Sequence, residues 1–114
     1  MIPDALDDRR EAPRRVLRRP ASMVLPGNQL VQARALDISR SGMAIVAPAN
    51  PPVGMACGLR IALPARDGTP QEIEPRVKVI QSLWSAIDNG FKVGLRFQEL
   101  SPELQRLIRE FVES

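Results

Sequence analysis

The chain has 114 residues, 44% of them hydrophobic, and a net charge of +3, which describes one domain with a real core and excludes a chain disordered by composition. It contains no histidine and a single cysteine, Cys57, which removes the commonest general base, an internal disulfide and a zinc site. No apolar run is long enough to cross a bilayer as a helix.

Residues 1–8 are polar and are expected to be a flexible lead-in. The segment 9–19 follows, and it holds six of the 16 basic residues, so the positive charge is a local arm that favours phosphate-bearing partners. Pro13 and Pro20 prevent continuous helix there, and the segment reads as a linker. A barrel is expected over 20–98. Its first strand covers 21–25, and Pro26-Gly27-Asn28 makes a turn. The second strand covers 29–38 with imperfect alternation, and a third covers 42–47 before the Pro48-Ala49-Asn50-Pro51-Pro52 loop.

The later strands alternate cleanly. Met55, Cys57, Leu59, Ile61 and Leu63 share one face, and Asp67-Gly68 marks the next turn. Ile73, Val77 and Val79 share a face of the fifth strand. Asn89-Gly90 signals a hairpin, after which Phe91, Val93, Leu95 and Phe97 alternate with polar residues. Cys57 lies on an apolar face and reads as a small core residue. A helix is expected over 101–112. Ser101 is its N-cap, Pro102 suits its first position, and Glu103 complements its dipole. Leu104, Leu107, Ile108 and Phe111 form one face, which would cover an end of the barrel. Six half-buried strands and one helix give a mainly β fold, a six-stranded antiparallel β-barrel with a C-terminal α-helix.

Two segments carry the functional signal. One is the arginine tract, in which Arg10 and Arg14 are four apart, at most about 14 Å in an extended chain. Two guanidinium forks at that reach can grip different parts of a dinucleotide-sized ligand, through phosphate oxygens or the O6 and N7 of guanine. The other is Asp37-Ile38-Ser39-Arg40-Ser41-Gly42, at a strand junction. Asp37 can accept from the N1 and N2 donors of guanine, or form an Asx turn. Ser39 can contact a ligand or stabilise the turn, and Gly42 permits close backbone approach or positive φ. Arg40 adds charge or faces water.

In this order, Arg10-x-x-x-Arg14 and Asp37-x-Ser39-x-x-Gly42 resemble the paired motifs of the PilZ family, whose barrels bind the bacterial second messenger cyclic di-GMP. The resemblance runs from about Asp8 to Val112 and implies a receptor module with Arg9, Arg10, Arg14, Asp37, Ser39 and Gly42 as ligand contacts. Arg14/Arg18 and Arg15/Arg19 also match the arginine spacing. The Pro13-Arg14 step and the distance to the first strand favour Arg10/Arg14. In this family an arginine at the position of Arg9 goes with capture of two intercalated cyclic di-GMP molecules. Ligand binding would draw the arginine segment onto the barrel and present a new surface to a protein partner.

Two other readings compete. A basic arm on a barrel also suits nucleic acid, but 4% aromatics and no tyrosine leave few stacking platforms. A PilZ-like adaptor for motility or pilus machinery would need neither motif, and both are present. No metal constellation, phosphate-binding glycine-rich loop or nucleophile–base pair is identifiable by spacing, so no enzyme, cofactor or metal is expected. The start of the chain lacks a signal-peptide core, which reads as a cytoplasmic bacterial protein. Trp84 is expected on the face opposite Val77 and Val79, where it would stack on a purine if exposed, or else pack in the core or make an edge contact. Gly94 and Arg96 are expected on the outward face of the last strand, and the sequence leaves open whether they flank the site.

Overall fold

Alternation of apolar and polar residues commits most of this chain to strands with one buried face, and antiparallel pairing closes those faces around a common interior. A computed structural model describes residues 13–114. Seven strands form one sheet: β1 (Arg14–Leu25), β2 (Gln29–Ser39), β3 (Gly42–Ala47), β4 (Ala56–Pro64), β5 (Pro70–Ile73), β6 (Arg76–Ser85) and β7 (Gly90–Gln98). Their order is β1-β2-β3-β7-β6-β4-β5, and β1 also pairs with β4. That last pairing, through Ser22–Arg60, Met23–Leu59 and Val24–Gly58, closes a six-stranded ring and leaves β5 as a flap on β4. The expected antiparallel barrel with a C-terminal helix is the fold of this protein, with one short strand added.

The core is apolar and continuous. Ile38, Ile45, Leu59 and Val77 and Val93 are completely shielded from solvent, each worth about 1.5–3 kcal/mol relative to exposure. The helix α1 (Pro102–Glu113) packs Ile108, Phe111 and Val112 into the same cluster. Ser101 caps it, its hydroxyl accepting from the Leu104 amide at 3.2 Å. Turn chemistry follows the sequence: Gly27 and Asn28 adopt φ of 81° and 62° between β1 and β2. At the β4–β5 turn, Asp67 accepts from the amide and hydroxyl of Thr69, which holds its carboxyl below the usual range.

Three features differ from expectation. First, β1 reaches back to Arg14, so the arginine tract from there on is barrel wall and not linker. Pro13 and Pro20 exclude helix, but β4 flanks β1 only at Ser22–Val24, so one edge is open at Pro20 and a strand can carry proline there. Second, Glu74-Pro75 interrupts the run from Ile73 to Val79, dividing it between β5 and β6. Third, the register of β6 on β7 shifts between Val79 and Gln81. One extra residue reverses the facing of everything after it. Trp84 therefore pairs with Phe91, on the face shared with Val79, with the rings edge-on at 5.3 Å. It lies near the end of the strand and stays 58% exposed.

Candidate functional site

Irregular pairing gathers at one place on the barrel. β1 shifts register on β2 between Val16 and Arg19, and β2 shifts on β3 between Ala35 and Asp37. Extra residues of this kind bend a strand and re-aim the side chains beside them. This also explains the imperfect alternation of β2. The result is that Arg14 and Asp37, on neighbouring strands, meet on the outer surface.

Their contact is an ion pair. Arg14 Nε and Nη2 donate to Asp37 Oδ1 at 2.9 and 2.6 Å. Both side chains are partly covered, at 25% and 29% exposure, so the pair is neither fully screened by water nor fully desolvated. Arg14 Nη1 also reaches the Ser39 hydroxyl at 3.4 Å.

Ser39 is fully buried. Its Oγ accepts from the amides of Ser41 and Gly42, each at 3.2 Å, and so shapes the tight turn from β2 into β3. Gly42 has a different necessity. It pairs with Arg96, and a Cβ at this position would stand 2.0 Å from the Leu95 carbonyl oxygen. Glycine is thus required for β3 and β7 to approach, not for positive φ. Arg40 is exposed at the turn.

Beside the ion pair runs a groove of about 430 Å³ on the outer face of β3, β7 and β6. Arg14, Asp37, Ser41 and Gly42 form one wall, and Ile80, Leu83, Lys92 and Arg96 contribute to the rest. Gly94 and Arg96 therefore do flank the motif residues. Ile80 and Leu83 are exposed apolar side chains at 40% and 59%. Ile80 leans over Gly94, its Cγ1 3.5 Å from where a Cβ would stand there. The groove thus offers an apolar floor, guanidinium and ammonium donors, and one carboxylate acceptor. That set suits a ligand with flat faces, anionic oxygens and paired N–H donors. Sequence reasoning missed Ile80, Leu83 and Lys92, because only the β6 register shift turns Leu83 outward beside Lys92.

A larger cleft, about 1220 Å³, lies between α1 and the β4–β5 turn. Its walls interleave Arg15, Arg66, Arg106 and Arg109 with Asp67, Glu110 and Glu113, four cations against three carboxylates, where the smaller groove has three cations against one. The signs largely cancel there, so the smaller groove is the better anion site. Arg9 and Arg10 lie outside the described residues.

A sequence model of the PilZ domain family matches residues 8–114. The chain belongs to the PilZ family. No curated protein sequence matches it. Among solved structures, this PilZ domain is similar to the Bacillus subtilis inhibitor of motility MotI/DgrA, with a TM-score of 0.78 and 19% identity over 92% of this chain and 50% of that one. It is also similar to Escherichia coli YcgR in complex with c-di-GMP, with a TM-score of 0.73 and 19% identity over 92% of this chain and 45% of that one. The PilZ domain of Escherichia coli YcgR with c-di-GMP gives a TM-score of 0.62 and 18% identity, over 92% and 89%. At these identities the likeness is one of fold. The PilZ chain spans about half the length of the first two. Among its described residues, no helix is long and apolar enough to cross a membrane.

Proposed function

We propose that this PilZ domain is a cyclic di-GMP receptor that performs no chemistry and transmits occupancy as a change of shape. The observation that carries the reading is the Arg14–Asp37 ion pair at the rim of the groove. It joins the two motifs that the sequence separates, and it couples a guanidinium with a carboxylate where a guanine base and its phosphate need one of each. Asp37 accepts from guanine N1 and N2, and Arg14 turns from Asp37 to O6, N7 or a phosphate oxygen. The ligand thus replaces an internal ion pair with charge-assisted hydrogen bonds from each partner to itself, so part of its binding free energy goes into breaking that pair. Ser39 belongs to the site by shaping the turn that presents Asp37, and Gly42 by letting β7 approach β3 beside it; on this reading Arg9 and Arg10 complete the site from the lead-in.

The two c-di-GMP-bound structures of the same fold support this choice of ligand. Arg9 adds cationic surface, which suits two intercalated ligand molecules, since stacked dinucleotides bring four phosphates together. Drawing the lead-in onto the barrel would alter the surface offered to a protein partner, and supplies the differential affinity that drives a switch. Isothermal titration with cyclic di-GMP tests the reading directly. Saturation with about two ligands per chain is expected, whereas no heat of binding at ligand concentrations on the order of tens of micromolar contradicts it. A stoichiometry of one retains the receptor and removes the intercalated pair.

A further inference from the structure

Adjacent arginines at the start of β1 serve opposite faces of the barrel wall. Arg14 lies opposite Ser39 and Arg15 opposite Ile38, so their side chains diverge as alternation requires. Arg14 reaches Asp37 on the groove side. Arg15 reaches α1 on the other: its Cζ stands 4.2 Å from the centroid of the Phe111 ring, and Nη1 donates to the Phe111 carbonyl at 2.7 Å. The same nitrogen donates to the Ser114 hydroxyl, which in turn donates to the Phe111 carbonyl at 2.9 Å. The last turn of α1 contains no basic residue of its own. Arg15 thus supplies, from another element, the cation and the donor that the exposed carbonyls of a helix end favour.

The strand needs this tie as much as the helix does. The register shift between Val16 and Arg19 separates residues 14–16 from the rest of β1, and β4 does not flank them. Among the described residues, pairing with the end of β2, the bonds of Arg14 to Asp37 and Ser39, and the contact of Arg15 with α1 fix their place. We propose that Arg15 is a positioning residue for the dinucleotide site: its grip on Phe111 and Ser114 sets the backbone from which Arg14 reaches Asp37. This rests on the groove being the ligand site. By linkage, a ligand that holds Arg14 also steadies the last turn of α1, so the helix end reports occupancy on the far side of the wall.

The test has a ligand-free arm and a ligand arm. In the ligand-free protein, NMR of the arginine side chains reads hydrogen exchange at Arg14 Nε–H, the donor to Asp37. Exchange is expected to rise roughly tenfold in Arg15→Ala, to rise less in Arg15→Lys, which keeps the charge but loses the planar stack, and to stay unchanged in Arg18→Ala. With cyclic di-GMP, Arg15→Ala is expected to bind roughly tenfold more weakly than wild type at unchanged stoichiometry, the cost of ordering a loosened segment. Ligand slows amide exchange at residues 111–114 in wild type and not in Arg15→Ala. Equal Arg14 Nε–H exchange in Arg15→Ala and wild type, with the end of α1 loosened, overturns the proposal. A wild-type protein that binds no cyclic di-GMP ends the receptor reading, while the Arg14 exchange still decides whether Arg15 positions it.

Discussion

Arg14 and Asp37 are the residues on which the ligand reading turns, and the strand geometry distinguishes them from their neighbours. Arg14/Arg18 and Arg15/Arg19 share the spacing of Arg10/Arg14, and sequence cannot choose among them on chemistry alone. Alternation along β1 can: Arg14 reaches Asp37, Arg15 reaches α1, and Arg18 is exposed within the register shift. Arg14→Ala is therefore expected to weaken cyclic di-GMP binding by roughly a hundredfold or more, the usual cost of truncating one partner of a hydrogen-bonded charge pair. Arg18→Ala should bind like wild type, and equal losses in the two variants would move the site. Gly42 makes a different kind of contribution. With the Leu95 carbonyl 2.0 Å from the Cβ position, Gly42→Ala forces β3 from β7 and should cost about 2–3 kcal/mol of stability. Thermal unfolding would read this as a lowered midpoint without ligand, and an unchanged midpoint would return Gly42 to a ligand-contact role.

Among the elements, those with strict period-two patterning were legible in the sequence: β4 and β7 bury Leu59, Ile61, Val93 and Leu95 as their alternation requires. The helix was legible from its cap and stripe, although Val112 joins Ile108 and Phe111 in the core where Leu104 and Leu107 are only partly covered. Removing the cap with Ser101→Ala should cost about 1 kcal/mol, measurable by denaturant titration, and no loss would mean that Pro102 and packing alone start the helix. The register shifts were not legible, since an inserted residue leaves no mark on composition and shows only as imperfect periodicity. They are why Trp84 stands on the other face from the one expected, and why Leu83 was missed as a groove residue. The early start of β1 was hidden because adjacent arginines occupy both faces of the strand and so show no hydrophobic period. Of the candidate site, the motifs singled out Arg14, Asp37, Ser39 and Gly42, which the fold brings to one turn and groove wall, but the place of Ser39 as the buried keystone of that turn needed its three-dimensional partners.

Over the whole molecule, closure through β1 and β4 makes one wall that is lined by core on the inside and carries the groove outside. Cys57 reports on that closure. It is 1% exposed, and burial pushes its thiol pKa up, with Arg76 opposing weakly. A thiol with a raised folded pKa contributes stability that is fully present below its unfolded pKa and lost as pH rises through the folded value. The protein should therefore resist alkylation at neutral pH at a rate set by global opening and lose stability on the alkaline side, whereas fast alkylation of folded protein would show an open barrel. On the proposed reading, the same closed wall would let a bound ligand be felt at a distance, because Arg14 and Arg15 tie the groove to the helix across a single strand. Mapping backbone amide shifts during titration with cyclic di-GMP tests the central claim most directly. The account predicts perturbations at Arg14, at 37–42, and at the groove residues Leu83, Lys92 and Arg96. Shifts confined to the cleft between α1 and the β4–β5 turn, with Arg14 and Asp37 silent, would contradict it.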